Sequence, residues 1–132
     1  MNSRLCFIKI RVDLDYKYFA EKELKCSVSG ECKMNEAFMQ KLILLREKYG
    51  SPMFVTSGYR HPTRHPIERG KETPGYHAKG RAVDVHVSGH MAHKLVAIAM
   101  EMGLTCGIQQ KGDYSKRFIH IDDREDPIIY SY

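Results

Sequence analysis

Two short segments, RAVDVHV at 81–87 and RFIHID at 117–122, constrain this chain more than anything else in it. Each alternates with period two and so reads as a strand. Successive side chains of a strand point to opposite faces. In the first segment Arg81, Val83, Val85 and Val87 share one face, while Ala82, Asp84 and His86 share the other. In the second, Ile119 and Ile121 oppose Phe118, His120 and Asp122. Pairing the strands with valines beside isoleucines gathers Asp84, His86, His120 and Asp122 on the opposite face. Carboxylates and imidazoles gathered in this way are costly to bury unless they pair or hold a cation. His77 can fold over the same face through a turn at Gly80.

The rest of the chain supplies a layer to cover the aliphatic face. Asn35 precedes EAFMQKLILLREKYG, in which Phe38, Leu42 and Leu45 recur at helical spacing. Asn35 suits the N-cap and Gly50 the end of that helix. A second helix, GHMAHKLVAIAMEMG, is expected to be capped by Ser88 and to end at Gly103. MFVTS at 53–57 and TCGIQQ read as short strands, LCFIKIRV at 5–12 as another, and YFAEKEL as a short helical piece. KGDYSK is a turn, and the tail DREDPIIYSY is expected to pack back on the domain. Residues 58–79 form a long loop rich in Gly, Pro and charge, and long loops inside compact domains are usually functional or disordered. The expected class is α+β: one domain with a small antiparallel sheet and helices packed on one side.

Composition removes several function classes. A chain of 132 residues with 42% apolar content suits one soluble globular domain. The net charge of +5 and pI near 9.0 draw it to anionic surfaces. Lys and Arg are spread along the chain, whereas a nucleic-acid reader would cluster them. No segment is long and apolar enough to span a membrane, and no apolar core of a signal peptide is seen near the N-terminus. Cys6, Cys26, Cys32 and Cys106 form no C-x-x-C pair, so they read as free thiols of a reducing compartment. A Cys26–Cys32 bridge is conceivable but not readable from sequence. His61, His65, His90 and His93 read as ordinary polar residues. His90 and His93 lie three apart on one helix face, but this rival metal pair lacks a nearby third ligand other than His86.

The stretches VTSGYR, GYHAKGRAVDV and FIHID together resemble the zinc D-alanyl-D-alanine carboxypeptidase family, which includes phage endolysins and has structural relatives in the hedgehog signalling domain. The family motif of serine, any residue, histidine, two residues, glycine, any, alanine, any, aspartate is met here by His77, Gly80, Ala82 and Asp84. Its serine is replaced by Tyr76 or Gly75, depending on where one counts. The resemblance covers about residues 16–124. Residues 1–15 stand as an N-terminal extension of the single 1–132 domain, and the tail also lies outside the resemblance.

The resemblance implies one zinc ion held by His77, Asp84 and His120, with a fourth position open as a catalytic site needs. It implies roles for Arg60 (pairing with a substrate carboxylate or steadying an oxyanion) and for Tyr76 and His86 (contacting substrate, or, for His86, supporting a ligand). Asp122 stands either as the general base or as a group orienting a ligand. Several relatives carry the base a few residues before the last histidine, where this chain has only Asp113 in a turn. The implied activity is hydrolysis of an amide bond in the peptidoglycan stem peptide or cross-link, as a carboxypeptidase or endopeptidase. The expected setting is a phage- or prophage-encoded monomer, made in the cytoplasm and released at lysis or carried in a virion. Its partners are stem peptides, with no nucleic acid and no membrane insertion. The alternative is a zinc-containing binding or structural module of the same fold without peptidase activity.

Overall fold

A computed structural model of the protein describes residues 16–132, so the strand expected at 5–12 lies outside the described residues. The elements in chain order are α1 (Glu21–Leu24), α2 (Glu36–Tyr49), β1 (Phe54–Ser57), β2 (Ala82–His86), α3 (Gly89–Glu101), β3 (Thr105–Gln109), β4 (Phe118–Asp122) and β5 (Ile129–Ser131). A 3₁₀ turn at Tyr114–Lys116 occupies the turn expected before β4.

α2 begins and ends where its caps dictate. The Asn35 side chain accepts the Phe38 N–H at 2.9 Å, and Gly50 closes the helix with its N–H on the Arg46 carbonyl. Phe38, Leu42, Leu45 and Tyr49 are buried along one stripe, with Met39 beside them. α3 buries Ala92, Leu95 and Ala99. Ser88 occupies the N-cap position of α3, but its side chain makes no capping hydrogen bond, contrary to expectation.

Among the described residues the strands form one sheet in the order β1-β2-β4-β3-β5. β2 and β4 pair antiparallel with Val83 opposite Ile121 and Val85 opposite Ile119. These four, with Cys106 of β3, pack on the stripes of α2 and α3 in one core. At about 1.5–3 kcal/mol per buried aliphatic side chain, this contact makes a one-residue register slip unaffordable, since a slip would turn the aliphatics outward. β1 carries a bulge between Val55 and Ser57, which brings Ser57 rather than Thr56 opposite Asp84.

The sheet is mixed rather than antiparallel. β5 runs parallel to β3. The reason is topological. β2 and β3 already flank β4. A chain that reverses after β4 and joins the sheet beyond β3 must run antiparallel to β4, hence parallel to β3.

Candidate metal centre

The face opposite the core carries the polar cluster. Asp84 of β2 lies directly across from His120 of β4, and Ala82 across from Asp122. His77 comes from the turn between residues 76 and 80. Gly80 makes that turn possible: its φ is +70°, and its carbonyl accepts the Asn35 N–H at 2.9 Å. A Cβ at Gly80 would collide with the Lys33 carbonyl. The turn is thus pressed against the segment that leads into α2, and His77 is aimed at the sheet.

His77, Asp84 and His120 each offer one ligand atom, all within 4.8 Å of one another, and all three residues are buried. The His77 Nδ1–H donates to the Gly58 carbonyl at 2.7 Å. A carbonyl can only accept, so Nε2 of His77 keeps a bare lone pair, 3.3 Å from Asp84 Oδ1. His120 Nε2–H donates to Asp122 Oδ2 at 2.7 Å, which turns Nδ1 toward Asp84 Oδ1 at 3.1 Å. With these outer bonds in place, two nitrogen lone pairs and a carboxylate oxygen face one another. Three buried acceptors without a donor between them require a proton or a cation.

The electrostatics express the same demand. Burial alone would raise the Asp84 pKa, but the hydrogen bonds and charges of His120 and His77 hold it well below the usual carboxylate range. Burial alone would lower the His120 pKa, but its bonds to Asp122 and Asp84 raise it instead. Asp122 is likewise pulled down, against the effect of burial, by Arg124 and His120.

The surrounding residues fix these groups in place. Arg60 donates from Nη2 to Asp84 Oδ2 at 3.0 Å and from Nε to Ser57 Oγ at 3.0 Å, and its Nη1 lies 3.8 Å from Glu68. Asp122 is fully buried, and its oxygens accept from His120 and from the Arg124 backbone N–H, Nε and Nη2 at 2.6–3.1 Å. The Tyr76 ring lies between cations, with Arg124 at 4.7 Å, Lys79 at 4.8 Å and Arg81 at 5.3 Å. His86 shares the strand face of Asp84 but turns away from it. Its Nδ1–H donates to the Arg117 carbonyl at 3.0 Å and its ring meets Tyr114 edge-on.

His77, Asp84 and His120 therefore come together, with Arg60 and Asp122 bonded to two of them, while Tyr76 and His86 stand at the margins. His90 and His93 join no such group among the described residues. Cys26, Cys32 and Cys106 are free thiols. Two supporting residues were not legible. Glu68 is buried inside the 58–79 loop, where it accepts the Gly75 N–H at 3.1 Å and pairs with Lys71 at 3.3 Å. Nothing distinguishes it in sequence from the charged residues around it. Arg124 carried one weak signal, its position two residues beyond Asp122.

A family model described as Peptidase M15 matches residues 17–122, from before α1 to the end of β4, including all three converging residues. Comparison with curated proteins and with solved structures returned no significant match.

Proposed function

The chain belongs to the peptidase M15 family, whose members are zinc-dependent and act on peptidoglycan peptides, and we propose that it hydrolyses an amide bond in the stem peptide or cross-link of peptidoglycan. The observation that carries this reading is the set of three buried acceptors with no donor between them. Two imidazole nitrogens and one carboxylate oxygen suit zinc and leave a coordination position for chemistry. Bound there, zinc supplies Lewis acidity toward a peptide carbonyl and makes a water nucleophile accessible near neutral pH.

The chain's own residues prepare that site. The Gly58 carbonyl keeps the His77 proton on Nδ1, and Asp122 keeps the His120 proton on Nε2, so both inner nitrogens would be free to hold the metal. Arg60 occupies the outer oxygen of Asp84 and leaves the inner one for the metal. Its fork is largely engaged by Ser57, Asp84 and Glu68, which supports a positioning role for Arg60 over capture of a substrate carboxylate. For Asp122 the geometry supports the orienting role over the general base, because both oxygens already accept charge-assisted bonds. Tyr76 borders the site amid cations, and His86 with Tyr114 borders the β2 end. A net charge of +5 fits a target that carries anionic polymers.

The test is digestion of purified peptidoglycan with and without chelator, followed by zinc add-back, with products read by mass spectrometry. Zinc-dependent release of D-alanine would name a carboxypeptidase, and release of stem-peptide fragments an endopeptidase. Stoichiometric zinc without any product would reject hydrolysis and leave a binding module of the same fold.

A further inference from the structure

The tail after β4 lies beyond the family match, which ends at residue 122, yet it is built into the ligand face of the sheet. One cross-strand row runs from Ser57 to Asp84, His120, Gly107 and Tyr130. The row joins two of the three converging residues to a tyrosine of β5. Gly107 is the gap that makes the junction: a Cβ there would stand 2.6 Å from Cζ of Tyr130. Without that Cβ the tyrosine ring lies over β3 and tilts against His120, with ring centroids 5.8 Å apart. The Tyr130 hydroxyl meets that of Tyr132 at 3.4 Å. Tyr132 in turn stands edge-on to Phe118 at 5.1 Å, so the His120 side of the site is walled by aromatic rings.

The hydroxyl pair is exposed and leaves one donor to solvent. Each phenol oxygen carries one proton and can also accept. If one hydroxyl donates to the other, the second proton has no acceptor among the described residues. Arg124, between the Tyr76 and Tyr130 rings, already spends Nε and Nη2 on Asp122. The phenol pair therefore brings an O–H donor to the rim beside His120. The matching chemistry is an acceptor oxygen, and a peptide brings these as carbonyls and as its terminal carboxylate.

We propose that Tyr130 is a substrate-positioning residue whose hydroxyl, paired with that of Tyr132, donates to a carbonyl or carboxylate oxygen of a peptide held at the His77–Asp84–His120 site. The proposal rests on the peptidase reading and assigns β5 to the substrate site, beyond its place as an edge strand.

Tyr130→Phe keeps the ring over Gly107 and removes only the hydroxyl. The probe is a synthetic stem pentapeptide ending in D-alanyl-D-alanine. For the zinc-loaded proteins kcat and KM are measured, and for the zinc-free proteins the pentapeptide dissociation constant is taken from NMR shift titration. Zinc stoichiometry and Tm are recorded for both. The expected result is a KM and a dissociation constant raised about tenfold, as the loss of one neutral hydrogen bond implies, with kcat within about twofold. Zinc stoichiometry and Tm should match the unsubstituted protein. Equal KM and equal dissociation constant in the two proteins would overturn the assignment. So would a parallel loss of Tm or zinc, which would make the hydroxyl a structural element. A native chain that loads zinc but neither binds nor cuts the pentapeptide would overturn the peptidase reading and this assignment with it, whereas a native chain that cuts it as fast and as tightly as the variant leaves the peptidase reading standing.

Discussion

Replacing Asp122 by asparagine keeps the shape of the side chain and removes its charge, which isolates what the carboxylate does for His120. Both Asp122 oxygens act as acceptors: Oδ2 takes the His120 Nε2–H at 2.7 Å and an Arg124 N–H, while Oδ1 takes two more from Arg124. An asparagine offers one acceptor oxygen and an NH₂ that only donates. Turned toward His120, the NH₂ drives the imidazole proton to Nδ1, which faces Asp84 Oδ1 at 3.1 Å and is needed as a lone pair. Turned the other way, it meets the Arg124 guanidinium donor to donor. Loss of such an outer partner costs about 10- to 100-fold in metal affinity, or about 1.4–2.7 kcal/mol. The folding cost should be about 1–3 kcal/mol. The larger penalty of a wholly buried broken pair does not apply, because Arg124 keeps partial solvent access and its contact with the Tyr76 ring. Zinc affinity is read by competition with a chromogenic chelator, and the hydrolysis rate is taken at saturating zinc. The expected outcome is the affinity loss above, with the rate per loaded molecule within about tenfold of the native chain. Unchanged zinc affinity with a rate loss of about 10²-fold or more would refute the reasoning, because Asp122 would then act on a proton of the reaction.

Gly80→Ala should destabilise the fold by about 2 kcal/mol or more and weaken zinc binding, since the new Cβ meets the Lys33 carbonyl in a backbone of positive φ. Urea denaturation and zinc titration check it, and a native-like midpoint would count against the role given to the turn. Leu42→Ala in α2 should cost about 2–5 kcal/mol without a matching loss of zinc stoichiometry in the folded fraction, because Leu42 is fully buried in the helix-facing core. Glu68 yields a pH prediction: burial alone would raise its pKa, but the Gly75 N–H, Lys71 and Arg60 hold it below its usual 4.5. A carboxylate with a depressed folded pKa contributes stability that is complete above the unfolded value and is lost as pH falls through the folded one. The stability margin of the native chain over Glu68→Gln should therefore shrink below about pH 4.5. A margin that stays constant in urea melts from pH 6 to pH 3 would contradict it.

Legibility followed the range of the interaction. The β2 and β4 faces could be assigned residue by residue, because alternation is a property of the extended backbone, and the register came out with Val83 on Ile121 and Asp84 on His120. The α2 caps were legible for the same reason, since Asn35 and Gly50 act within one turn. Ser88 shows the limit of a local rule: the residue type was right for a cap, yet its side chain makes no such bond. Tyr130 was missed because the fold, not the spacing, sets it over Gly107 beside His120. Glu68 and Arg124 have partners nearby in the chain and were missed because spacing does not show which charged loop residue turns inward.

By itself, the sequence determined the local periods, the helix stripe, the turn at Gly80 and the polar face that carries Asp84, His86, His120 and Asp122, because backbone geometry and residue chemistry are enough for these; the choice of His77, Asp84 and His120 among them came from the family resemblance. Only the tertiary structure decided how those residues are used. The proton of His77 is placed by a carbonyl 19 residues away. Arg60 is tied to an aspartate 24 residues on. β5 lies parallel to β3 because the space beside β4 is already taken on both sides. Tautomers, ion-pair partners and strand direction depend on which groups meet across the fold, and a buried polar group must find a partner among those the packing leaves within reach.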